Sequence, residues 1–142
     1  MIVQTQTTQF KSDCLSGLVN FTTTSPYTYK VALYTALTTL NNTTATYAGT
    51  ANEVVATGYT AGGNAITITQ NPGIDLTNNV AFPYFANVIW TGATITARGA
   101  LIYNATTGNS VAVLNFGNDI TMSNFTITWP AATSTTAVIT IS

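Results

Sequence analysis

One stretch sets the terms for the rest of the chain: Ala93 to Phe116, ATITARGALIYNATTGNSVAVLNF. Thr94 to Tyr103 is rich in β-branched and apolar residues, and so is Ser110 to Phe116. Between them lies Asn104-Ala105-Thr106-Thr107-Gly108-Asn109. Two β-rich runs around a short Asn/Thr/Gly segment predict an antiparallel hairpin. The second run is nearly all apolar, which predicts a central strand covered on both faces. So apolar a hairpin must be buried under further strands.

The flanking sequence supplies them. Strands are predicted over Tyr27–Thr35, Asn52–Val55, Ala65–Thr69, Val80–Phe85, Val88–Trp90, Phe125–Trp129 and Thr136–Ile141. In Phe125–Trp129 the two aromatics and Ile127 face one way. Pro83 cannot donate to a ladder, so its strand is placed at an edge. Glycine-marked turns are expected over Ala56–Asn64, at Asn71-Pro72-Gly73 and at Gly117-Asn118. Thr22–Pro26 and Leu40–Gly49 read as loops. Residues 1–7 read as a polar tail or an added edge strand. Residues 8–20 form the one predicted helix, with Thr8 as N-cap and Phe10, Cys14, Leu15, Leu18 and Val19 at helical spacing. The expected architecture is all-β: an antiparallel β-sandwich, jelly-roll or immunoglobulin-like, with one short N-terminal helix. It is expected to form a single domain over residues 1–142, with tail and helix in about the first twenty.

Composition narrows the function. Only 5% of the residues are charged, against about 25% in an average soluble protein. Threonine takes the polar positions, and its branched Cβ suits a pleated surface. A surface with so little charge does little to keep copies apart, which favours a life in contact with other subunits. There is no histidine, so the usual general base and metal ligand are missing. Cys14 is the single cysteine, which rules out an internal disulfide and a four-cysteine zinc site. The net charge of −1 and the lack of a basic run argue against nucleic acid. No apolar run is long enough for a transmembrane helix. Met1-Ile2-Val3-Gln4-Thr5 has no signal-peptide character, so synthesis and folding are expected in a cytoplasm.

Few residues invite chemistry. Gly58-Tyr59-Thr60-Ala61-Gly62-Gly63 lacks the Lys-Ser/Thr ending of a phosphate loop and reads as a turn needing positive φ. Asp13, Glu53, Asp75 and Asp119 are scattered, and read as caps or turn residues rather than a facing catalytic pair. Glu53 and Arg98 lie in β-rich, charge-poor surroundings and are candidates for a partly buried ion pair or an intersubunit contact. Cys14 is expected as a buried packing thiol. The seven tyrosines with Trp90 and Trp129 suit core and interface packing, or else a sugar-binding surface. Asn-x-Thr triplets such as Asn104-Ala105-Thr106 follow from the composition. No enzyme activity, cofactor or metal is expected.

Several segments in order carry a resemblance. They are Phe10-Lys11 through Asn20-Phe21; Tyr29-Lys30-Val31-Ala32-Leu33-Tyr34-Thr35; and Asn52-Glu53-Val54 with Thr57-Gly58-Tyr59-Thr60-Ala61-Gly62-Gly63. Val88-Ile89-Trp90, Ile95 to Tyr103 and Leu114-Asn115-Phe116-Gly117 follow. From about residue 9 to 129 this order resembles small virion-associated structural proteins of tailed bacteriophages. The resemblance implies a multicopy β-rich particle component and carries over no catalytic residues. The leading expectation is a capsid cement or decoration protein on the outer shell. Its partners would be the major capsid protein or other virion subunits, and its own copies as a dimer or trimer. It would sit in the virion, assembled in the host cytoplasm, with no nucleic acid or membrane as partner. The helix or the tail before it is the candidate anchor, so the candidate contact residues are Phe10, Leu15, Leu18, Glu53 and Arg98. The alternative is a tail or baseplate component that reads host polysaccharide.

Overall fold

The central hairpin is longer than its apolar runs. In the computed structural model, which describes residues 1–142, β6 spans Val88–Asn104 and β7 spans Ser110–Ile127. Near the turn both strands are buried on both faces, over Gly99–Asn104 and Ser110–Leu114, as the apolar run predicts. Farther out β6 alternates: Val88, Trp90, Ala93, Ile95 and Ala97 point inward, while Ile89, Thr94 and Thr96 are exposed. The change falls at a large bulge. Ala97 pairs with Ile120 and Gly99 with Asn115, so Arg98 alone stands opposite Phe116, Gly117, Asn118 and Asp119. Gly117 takes φ +81° there. The turn expected at Gly117-Asn118 is therefore a bulge inside one strand, because left-handed backbone serves either device.

The hairpin lies inside an antiparallel sheet. With β1 (Thr5–Gln6), β2 (Tyr29–Tyr34) and β3 (Asn64–Ala65), the strand order is β1-β7-β6-β2-β3. A second, two-stranded sheet joins β4 (Ile68–Asp75) to β5 (Val80–Phe85). The protein is all-β and sandwich-like with one short helix, as expected. Residues 5 and 6 are the added edge strand, paired to Val113 and Ala112. Pro83 sits in β5 of the small sheet, where no central ladder is broken. One face of the large sheet carries the main core of Phe10, Phe21, Tyr29, Leu33, Trp90 and Ile102 among others. The other face buries Ile2, Tyr34, Leu40, Leu101, Tyr103 and Val113.

Four local expectations change. Asn71-Pro72-Gly73 lies within β4, where the register jumps from Gln70–Tyr84 to Gly73–Phe82; the chain turns later, at residues 76–79, with Asn79 at φ +59°. Asp75 shapes that turn by accepting from the Thr77 and Asn78 amides. Thr136–Ile141 and Asn52–Val55 are not strands, and pair with the sheets only as the isolated bridges Ala81–Ile141 and Tyr34–Glu53. The run at Ala65–Thr69 breaks at Ile66-Thr67, because buried Ile66 turns the chain from one sheet to the other.

The helix, α1, is Thr8–Leu15, shorter than the apolar spacing suggests. Its N-cap is Thr7, whose hydroxyl oxygen accepts from the Phe10 amide at 3.2 Å. It stops before Gly17, which adopts φ +72°. Phe10 and Asp13 are its buried residues. Asp13 is satisfied there by the Gln9 and Asn109 side-chain amides at 2.8 and 2.9 Å. Leu15 is 92% exposed, and Cys14 is exposed rather than a buried packing thiol. Only one narrow side of two helical turns faces the sheet, and Phe10 and Asp13 occupy it.

Candidate functional site

The most organised polar site surrounds Glu53. It follows a short 3₁₀ turn at Tyr47–Gly49 and precedes the glycine turn at residues 58–63. One Glu53 oxygen accepts from the Tyr59 hydroxyl at 2.6 Å and the Gly62 amide at 2.7 Å. The other accepts from the Tyr47 hydroxyl at 2.6 Å. Tyr59 in turn accepts from the Leu33 amide at 2.9 Å. Tyr103 donates to the Gly62 carbonyl at 2.8 Å and stacks on Tyr47 with centroids 4.5 Å apart. Tyr34 shares a 2.6 Å hydrogen bond with Thr50. Two loops are thus tied to β2 and β6 through one carboxylate.

The electrostatics follow from that geometry. Burial pushes the Tyr59 and Tyr47 phenols well above their ordinary range, and donating to the Glu53 carboxylate pushes them further. Burial raises Tyr34 and Tyr103 too, with the Glu53 charge adding to each. The phenols are held as neutral donors and the carboxylate as their acceptor. Such a site fixes a loop cluster.

The expected Glu53–Arg98 pair does not form. Arg98 lies on the bulge and pairs with Asp119 at 3.7 Å, both partly exposed. The four-for-one bulge is what brings Asp119 alongside Arg98, and Glu53 is taken up by three uncharged donors. The four acids are apart, each with its own partners: amides at Asp13, phenols at Glu53, the 76–79 turn at Asp75 and Arg98 at Asp119. Asp75 is held at a pKa of about 2 by hydrogen bonding to Ser134 and Asn78. No group of three His, Cys, Asp or Glu side chains is arranged to hold a metal. No helix is long and apolar enough to cross a membrane.

Of the remaining candidates, Phe10 is core, while Leu15 and Leu18 face outward. Gly58, Gly62 and Gly63 all have positive φ, as the turn expectation requires. The tyrosines and tryptophans are buried or half-buried, and none is fully exposed. The aromatic hollow nearest to a sugar platform is lined by Tyr84, Phe85, Trp129 and Asn87.

An uncharged surface lies on the outer half of the hairpin, an arm formed by residues 88–97 and 120–127. Its exposed face carries Ile89, Thr91, Thr94, Thr96, Thr121 and Ser123. Thr96 and Thr121 share a 2.7 Å hydrogen bond across the strands. The Arg98–Asp119 pair marks its base. A cleft of about 330 Å³ separates the arm from Thr35, Ala36 and Val55, the last 98% exposed.

Fold and site together define a β-sandwich-like domain with a long two-stranded hairpin end, its inner face in the core and its outer face uncharged, and one internally satisfied carboxylate cluster. Compared with protein-family models, curated proteins and solved structures, the chain matches none.

Proposed function

We propose that this chain is a bacteriophage virion structural protein, a capsid cement or decoration protein that binds the assembled shell from outside. The observation that carries this is the outer face of the arm: two strands packed on the core by their inner side and surfaced outside chiefly with threonine and serine, with one ion pair at the base. Such a face adds no desolvation cost of unpaired charge when it is covered. Its hydroxyls can hydrogen-bond a partner's backbone or side chains. Binding the assembled shell and not its free subunits stabilises the shell by mass action. The resemblance to phage virion proteins supports the same assignment, and the internal use of each carboxylate fits a protein that adheres rather than reacts.

Purified protein should bind empty shells, raise their thermal disassembly temperature and decorate the head uniformly in micrographs. Ile89→Lys, a charge placed on the arm's outer face, should weaken that binding at least tenfold. Decoration confined to the tail would sink the cement assignment. The hollow lined by Tyr84, Trp129 and Asn87 favours one second reading, a tail or baseplate adhesin for host polysaccharide. Glycan-array binding lost in Trp129→Ala would support it.

A further inference from the structure

A second surface lies away from the arm. Lys11, Cys14 and Leu15 share one face of α1, and all three are exposed. Cys14 edges a hollow of about 210 Å³ whose walls include Phe10, Phe21, Phe82 and Ile139. Ala81 and Ile141 line that hollow, and the same two residues line the next one, beside Ile74 and Leu76 at the β4–β5 turn. The two hollows thus form one apolar stripe from the helix to the turn. Ile74, Leu76 and Ile141 stand exposed along it, Leu76 by 89%, and Leu15 stands exposed next to Cys14 at its helix end.

The stripe ends in opposite charges. Lys11 lies at the helix end and Asp75 at the turn, and neither takes part in the chain's one ion pair, Arg98–Asp119. A stripe with a cation at one end and an anion at the other complements itself when turned over by a two-fold axis. We propose that a second copy of this chain docks on this stripe as a two-fold dimer. Leu15 and Leu76 of each copy seat in the other's hollows, and Lys11 of each faces Asp75 of the other. A stable interface takes roughly 800 Å² from each partner, about a ninth of this chain's 7194 Å². With 5% charged residues overall, few like charges can oppose the approach. The dimer goes beyond the shell-binding assignment and does not depend on it.

Sedimentation velocity on the purified full chain, from about 1 to 100 µM, tests this directly. A dimer is expected. Leu15→Glu and Lys11→Glu, both at exposed helix positions, should each weaken it at least tenfold. The double variant Lys11→Glu/Asp75→Lys should regain much of what Lys11→Glu loses, with circular dichroism confirming its fold. A monomer at every concentration overturns the proposal, and so does a dimer indifferent to Leu15→Glu. A monomer that binds empty shells through Leu15 also overturns it, by giving the stripe to a shell protein.

Discussion

Glu53 accepts three hydrogen bonds, from two tyrosine hydroxyls and one backbone amide, on two loops. Glu53→Gln replaces one acceptor oxygen with a donor that faces Tyr47, or Tyr59 and Gly62. One buried donor then loses its partner, and the loss should be about 1–3 kcal/mol in urea unfolding. The phenols give a second, pH-dependent expectation. Burial raises Tyr29 from an ordinary value of 10.0 to about 12, and Tyr34, Tyr47, Tyr59 and Tyr103 are raised as well. A phenol whose folded pKa exceeds its unfolded one stabilises fully below the unfolded value, and that stability is lost as pH climbs through the folded one. Stability should therefore hold to about pH 10 and fall above it, with these five tyrosinates appearing together as the chain unfolds. Stepwise ionisation with the circular dichroism unchanged would contradict that. The spacing Tyr47–Glu53–Tyr59, six residues to either side, was the available trace of this cluster in the sequence. Nothing in the sequence indicated that the two loops fold back onto one carboxylate.

Elements differ in how far their own residues dictate them. The junction of β3 with β2 rests on Gly63, whose φ is +67° and where a Cβ would overlap the Val31 carbonyl. Gly63→Ala should cost at least about 2 kcal/mol, through strain and a displaced β3. The helix depends on Thr7, which is fully buried, caps the Phe10 amide and donates to the Ser110 carbonyl at 3.1 Å. Thr7→Ala should cost about 1–2 kcal/mol, measurable as a lower thermal midpoint, whereas Thr8→Ala should have little effect. Neighbouring threonines 7 and 8 are chemically equal as caps. Contact with Ser110 and Val111 on β7 decides between them. The two misplaced turns have a similar origin. Gly117-Asn118 and Asn71-Pro72-Gly73 are turn-formers by composition, yet a partner strand on one side converts both into bulges.

For the whole molecule, the outer arm and the helix-to-turn stripe are separate surfaces with separate tests. A single charge on the arm should spare the proposed self-association, and one at Leu15 should spare the proposed shell binding. The Arg98–Asp119 pair is partly exposed and worth about 0–1 kcal/mol, so raising salt should change stability little. Local alternation and apolar runs determined the all-β class, the central hairpin, the burial of Ser110–Leu114 and the edge position of Pro83, because each depends on residues adjacent in the chain. Tertiary structure alone decided that Arg98 meets Asp119 instead of Glu53, that Phe10 is core while Leu15 is surface, and that Ile139 is buried without belonging to a strand. Those outcomes depend on which strands become neighbours, and strand order is set by packing between segments far apart in sequence.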